Sequence, residues 1–203
     1  MTSSYLVAAK PCEDETIVNR SRFICYLAPC QSNEAAKEFI KKVQQLHPQA
    51  SHHCYAFVSS HPLDSQSYGF SDDGEPSGTA GKPMLIALQG SNIGEVCAVV
   101  VRYFGGTKLG TGGLQRAYGG SVRQALLKLP TKTKIPMVHK TLACHYTHIN
   151  DVHHLLEKLG GHIISEDYQI EIHLEIALPE VKVDEFITQL QTLSAGQIQL
   201  QNL

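Results

Sequence analysis

The sequence predicts an α+β protein in two domains, residues 1–130 and 138–203, joined by a linker at 131–137. Three observations carry that prediction. Apolar residues recur with a helical period in some segments and a strand period in others, and the two kinds interleave along the chain. One segment, VCAVVVRY at 96–103, is apolar almost throughout, as a strand covered on both faces must be. The stretch TKTKIP at 131–136 is short, basic and bounded by proline, which marks a boundary between two cores.

The elements follow in order. Residues 13–18 and 22–28 are short strand-like runs. Residues 34–46 form a helix with Ala35, Ala36, Phe39, Ile40, Val43 and Leu46 on one stripe. HHCYAFVS at 52–59 is a strand rich in aromatic and β-branched residues, and 60–81 is turn-rich. Residues 83–88 are a short helix, with Pro83 in the first turn where its missing N–H costs little. The buried strand at 96–103 leads through a glycine loop, 105–113, into a helix at about 114–129, on which Leu114, Ala117, Tyr118, Val122, Ala125, Leu126 and Leu129 keep the 3.6 period.

After the linker, a strand at 138–146 and a helix at 149–159 precede the turn Gly160-Gly161. Two strands follow, with their turn at about 166–169. The second alternates Ile170, Ile172, Leu174, Ile176 and Leu178 against Glu171, His173 and Glu175. Pro179 opens a helix, and 197–201 is the last strand. This βαββαβ order is the ferredoxin-like split βαβ. One sheet face takes the helices, and the face bearing Glu171, His173 and Glu175 is left free.

A composition 42% hydrophobic and 18% charged is that of a globular chain, and no run approaches the roughly 18 apolar residues of a membrane span. The N-terminus MTSSYLVAAKPCEDE lacks a basic stretch followed by an apolar core, so no signal peptide is expected. The six cysteines are scattered without a CxxC pair, which fits reduced thiols and a cytoplasmic protein. The net charge of −2 argues against a nonspecific nucleic-acid coat, but its distribution is uneven. Residues 96–150 hold eight Lys/Arg and no acid, whereas 151–203 hold two against nine acids. A basic middle implies an anionic partner.

Thirteen of the sixteen glycines lie between Gly69 and Gly120. The loop at 105–113 joins a buried strand to a helix N-terminus, where main-chain N–H groups and the helix dipole favour anions, and Lys108 adds charge. It matches neither the Walker A pattern nor GxGxxG, so its motif gives a nucleotide little support. Arg116 and Arg123 lie seven residues apart, nearly in register on the outer face of the following helix, with Gly119 and Gly120 between them. Something packing closely against that bare backbone, external or internal, accounts for the two glycines. Asp72, Asp73 and Glu75 form a carboxylate cluster that serves either a solvated turn or acid–base and Mg²⁺ chemistry. His52 and His53, adjacent on a strand, face opposite ways and cannot easily share one ion. With Lys82 these residues make a possible second site. No catalytic residue, metal or cofactor is assigned.

SRFI at 21–24, HHCYAF at 52–57, FSDDGEPSGTAGKPM at 70–84 and VVVRYFGGTKLGTGGLQRAYGG at 99–120 together resemble the IMPACT family, in its bacterial YigZ-like form. The resemblance implies an N-terminal domain with the fold of ribosomal protein S5 domain 2, shared with elongation-factor domains and the GHMP kinases. It also implies a C-terminal domain like elongation factor G domains III and V. Eukaryotic relatives carry a further N-terminal module and act in translational control, so their partner does not transfer to this chain.

The expected function is therefore a noncatalytic, translation-associated regulator. It would bind RNA, the ribosome or a translation factor through Arg102, Lys108, Arg116, Gly119, Gly120 and Arg123, with Tyr103, Phe104 or Tyr118 available to stack on bases. The alternatives are a GHMP-like phosphotransferase or metal-assisted hydrolase built on the carboxylates, and a protein–protein adaptor using the acidic C-terminal sheet face. No membrane contact and no small-molecule ligand are expected.

Overall fold

A computed structural model of the chain describes residues 4–202. They form two compact units, Tyr5–Lys134 and a second beginning at Ile135. The first contains β1 (Tyr5–Ala8), β2 (Cys12–Val18), β3 (Ser21–Pro29), α1 (Asn33–Leu46), β4 (His52–Val58), β5 (Tyr68–Ser71), α2 (Gly81–Ser91), β6 (Ile93–Gly94), β7 (Val96–Tyr103), α3 (Gly110–Lys128) and β8 (Thr131–Lys134).

The main sheet runs β2-β3-β7-β4-β5, antiparallel throughout, with the apolar strand β7 at its centre. Its alternating side chains serve two cores. Val96, Ala98 and Val100 join the cluster under α2 and α3, and Cys97, Val99 and Val101 join the cluster under α1. Residues 96–101 are therefore buried whichever way they point. Ser32 caps α1 by accepting from the Ala35 N–H at 3.1 Å, and Ala36, Ile40 and Val43 anchor the helix. The predicted stripe ends early, because Leu46 is exposed.

A second sheet, β6-β1-β8, was not legible as such. Its strands are two to four residues long, too short to show a period. It corrects the linker: Thr131–Lys134 pairs with β1 instead of spanning two domains. The buried Glu95 carboxylate fastens this sheet, accepting from Tyr5 Oη at 2.9 Å and from Lys134 Nζ.

The second unit contains β9 (Met137–Cys144), α4 (Ile149–Lys158), β10 (His162–Tyr168), β11 (Ile172–Pro179), α5 (Val183–Leu193) and β12 (Gln201–Asn202). Its sheet order is β10-β11-β9-β12, the split βαβ arrangement. Leu142, Ile172, Leu174, Ile176 and Leu178 meet Val152, Leu156, Phe186 and Leu190 in one core. The first strand ends at Cys144, and two further boundaries differ from expectation. Tyr168 pairs with Ile172, so residues 169–171 form the turn, leaving Ile170 at its tip 93% exposed and Glu171 outside the strand. Residues 197–200 are not a strand, because the Gln197 and Ile198 N–H groups turn back to Ser194. His173 on the open face is exposed and lies across from Asp167.

Candidate functional site

Arg102 is the one charged residue of β7, and it points to the side of Val100, beneath α3. A guanidinium there needs an anion, because a buried unpaired charge is very costly. Glu75 supplies it from the loop between β5 and α2, at 2.5 Å, with both side chains nearly inaccessible. The same Glu75 oxygen accepts from Tyr118 Oη on α3 at 2.8 Å. Burial first, and then Cys54 and Glu75, push the Tyr118 phenol far above its ordinary pKa, so it remains a donor. Arg102 also donates to Ser21 Oγ at 3.4 Å, and its guanidinium lies 5.5 Å from each of the Phe23 and Phe104 rings. Arg102 Nε is buried without a partner among the described residues.

The loop carrying Glu75 is folded around Asp72. Its carboxylate accepts from the Gly78, Ala80 and Gly81 N–H groups at 2.8, 2.9 and 2.8 Å, and so caps the N-terminus of α2 from a distance. Burial opposes the Asp72 charge, but the three N–H groups together outweigh it and hold the carboxyl below its usual pKa. Asp73 accepts from the His53 N–H at 2.6 Å, and its carbonyl accepts from His52 Nδ1 at 2.7 Å, which fixes the proton on that nitrogen. His52 Nε2 lies 3.8 Å from Glu75. His53 points the other way, its Nε2 donating to the His47 carbonyl at 3.0 Å.

Five residues of the possible second site, His52, His53, Asp72, Asp73 and Glu75, are thus neighbours. Lys82 stands exposed on α2 and makes no hydrogen bond or ion pair with them among the described residues. Ser21, Phe23 and Tyr118 complete the cluster, although sequence reasoning gave them no polar role. The available signal was Arg102 itself, a charge in a doubly buried strand that had to find partners.

The proposed binding surface is divided by the structure. Lys108, Arg116 and Arg123 are exposed, and none pairs with an acid among the described residues. Arg102 is a correction, since its guanidinium is buried on Glu75 and does not reach the surface. Gly119 is another. It is buried, and a Cβ there would lie 3.3 Å from the Pro83 carbonyl of α2, so this glycine serves helix–helix packing. Gly120 is half-exposed with nothing within 4 Å of its Cβ position. Tyr118 is inside the core and unavailable for stacking, whereas Phe104 is 51% exposed. The first turn of α3 has no side-chain cap.

Residues 19–126 match the Impact N-terminal domain, and residues 142–197 match DUF1949, a domain of unknown function. The chain is 51% identical over 197 residues to the IMPACT family member YigZ of Escherichia coli strain K12, covering 97% of each chain. It is 46% identical over 201 residues to an IMPACT family member of Haemophilus influenzae, covering 99% of this chain and 98% of the relative. With the Bacillus subtilis member YvyE it shares 35% over 196 residues, 97% of this chain and 89% of the other. A crystal structure described as that of a hypothetical protein superposes with a TM-score of 0.73 at 49% identity, over 100% of this chain and 98% of that one.

Proposed function

The chain belongs to the IMPACT family, and from that premise we propose that it is a noncatalytic binding module of the translation apparatus whose α3 face rests on RNA phosphate. One observation carries the reading. The 19-residue helix α3 presents Arg116 and Arg123 outward and contains no acid, and neither arginine pairs with an acid among the described residues. Lys108 and the uncapped first turn extend this cationic surface, and Phe104 offers a face for a base. Such contacts neutralise phosphates and release counterions, so binding falls steeply with salt.

The engagement of the carboxylates weighs against the enzyme reading. Asp72 is held by three N–H groups, one Glu75 oxygen by Arg102 and Tyr118, and Asp73 by the His53 N–H, so each carboxylate already has a structural role. Co-sedimentation with ribosomes tests the proposal. Lys108→Glu with Arg116→Glu abolishes co-sedimentation at moderate salt while the circular dichroism spectrum is unchanged. Retention of the variant on ribosomes would mean that this surface is not the one used.

A further inference from the structure

Helices α2 and α3 pack side by side, and between them lies a groove of about 490 Å³ whose aliphatic lining is Ile86, Ala87, Leu126 and Leu127, with Gly90, Ser91, Arg123 and Gln124 around it. Its floor is mainly aliphatic where a protein surface is ordinarily polar, with Ile86 56% and Leu127 80% exposed. Neither helix contains an acid. Lys82 and Arg123 stand exposed beside the apolar stripe, and Lys128 is turned away to Asp14.

The glycines add an independent observation. Gly119 is explained by the fold, because Pro83 of α2 sits against it. Gly90 and Gly120 are not: a Cβ at either would meet nothing within 4 Å. Glycine inside a helix is unfavourable without a packing reason. Bare backbone at Gly90, in the groove lining, and at Gly120, about one turn before Arg123 on α3, lets another chain approach closely.

We propose that this groove seats an amphipathic α-helix of a partner protein, with apolar residues at i, i+3/i+4 and i+7 and acids on its flanks. The aliphatic floor accepts the apolar stripe, and Lys82 and Arg123 meet the acids. RNA fits the groove less well, because bases need aromatic or planar platforms and the floor has none. A second copy of this chain fits less well too. A twofold contact through the groove would set Arg123 against Arg123, with no acid on either helix to separate them. The proposal does not rest on the RNA reading. Ile86 and Leu127 belong to no phosphate contact, and Arg123 alone is shared.

The test uses the full chain and a set of fluorescein-labelled acidic helical peptides of about five turns, with leucines at i, i+4, i+7 in each register. Wild-type protein binds at least one of them with micromolar affinity. Ile86→Ser with Leu127→Ser weakens that binding at least about tenfold, or 1.4 kcal/mol. Both side chains are exposed, so an unchanged circular dichroism spectrum is expected. Lysine in place of the peptide glutamates abolishes binding, and amide resonances of Gly90 and Gly120 shift on titration with the acidic peptide. Absence of any peptide binding below millimolar concentration overturns the proposal, as does equal binding by the double variant. Loss of single-stranded RNA binding in the Ile86→Ser/Leu127→Ser protein assigns the groove to RNA instead. A dimer that dissociates on Leu127→Ser assigns it to self-association. Failure of the ribosome test leaves these outcomes unaffected.

Discussion

Replacing Glu75 by glutamine keeps the shape of the side chain and an acceptor for Tyr118, but removes the charge opposite Arg102. Glu75 and Arg102 are only 4% and 6% accessible, so water does not compensate the loss. At an effective dielectric of about 20, two charges about 4 Å apart attract by about 4 kcal/mol, and breaking one side of a buried pair costs about 3–5 kcal/mol. Crediting the glutamine with the retained Tyr118 hydrogen bond, about 1 kcal/mol, the expected loss is about 3 kcal/mol. Because the chain has two compact units, a global melt mixes two contributions. Native-state hydrogen exchange of the Val99, Val100 and Val101 amides isolates the first. Their exchange should accelerate by roughly 10²-fold, since each 1.4 kcal/mol is a factor of ten. The double replacement Glu75→Leu with Arg102→Leu should recover much of the loss, because it leaves no orphaned charge. Acceleration of less than about fivefold in the single variant would refute the claim that this pair holds the loop to the sheet.

Three further outcomes follow from the same geometry. The Asp72 carboxyl has a depressed pKa in the folded chain, so its contribution is present above the unfolded value near 4 and is lost as pH falls through the folded value. Asp72→Asn should therefore lower the urea midpoint at pH 7 by an amount equivalent to about 1 kcal/mol, the size of a lost cap at a half-buried site, with the difference closing at lower pH. Gly120→Ala should raise thermal stability by about 0.5–1 kcal/mol, because its Cβ enters open space, whereas Gly119→Ala should gain less or lose, because its Cβ meets Pro83. Gly105→Ala should destabilise by about 2 kcal/mol or more in a denaturant titration, since its Cβ would fall 2.0 Å from the Arg20 carbonyl carbon.

Periodicity reached much of this fold, and its failures share a cause. The doubly buried β7 and the α1 and α3 stripes are long enough for their period to be visible, and so is β11. Strands β1, β6 and β8 owe their existence to pairing partners far away in sequence, such as Leu6 with Thr133 and Ile93, which no local pattern encodes. The glycine argument divides in the same way. Sequence alone shows Gly119 and Gly120 as equivalent, and only the approach of Pro83 separates one as internal from the other as exposed.

The candidate site was legible as residues but not as a circuit. Asp72, Asp73 and Glu75 stand out in the sequence as acids in a glycine-rich motif, and His52 as one of two adjacent histidines on a strand. Glu75 is tied to the sheet by Arg102, which the acid-free basic segment placed on the surface. An arginine following six apolar residues in a central strand is subject to the burial of that strand, and Glu75 is the partner this requires. The cationic face is consequently narrower than its sequence segment, reducing to Lys108, Arg116 and Arg123.

The salt dependence of RNA binding tests the central claim most directly. Fluorescence anisotropy with a labelled single-stranded RNA, repeated across a salt series, gives the slope of log affinity against log salt for wild type and for Arg116→Glu with Arg123→Glu. If both arginines contact phosphate, affinity falls and the slope becomes shallower by about 1.4, at about 0.7 per contact. Equal affinities and parallel slopes would contradict a phosphate-binding role for the α3 face.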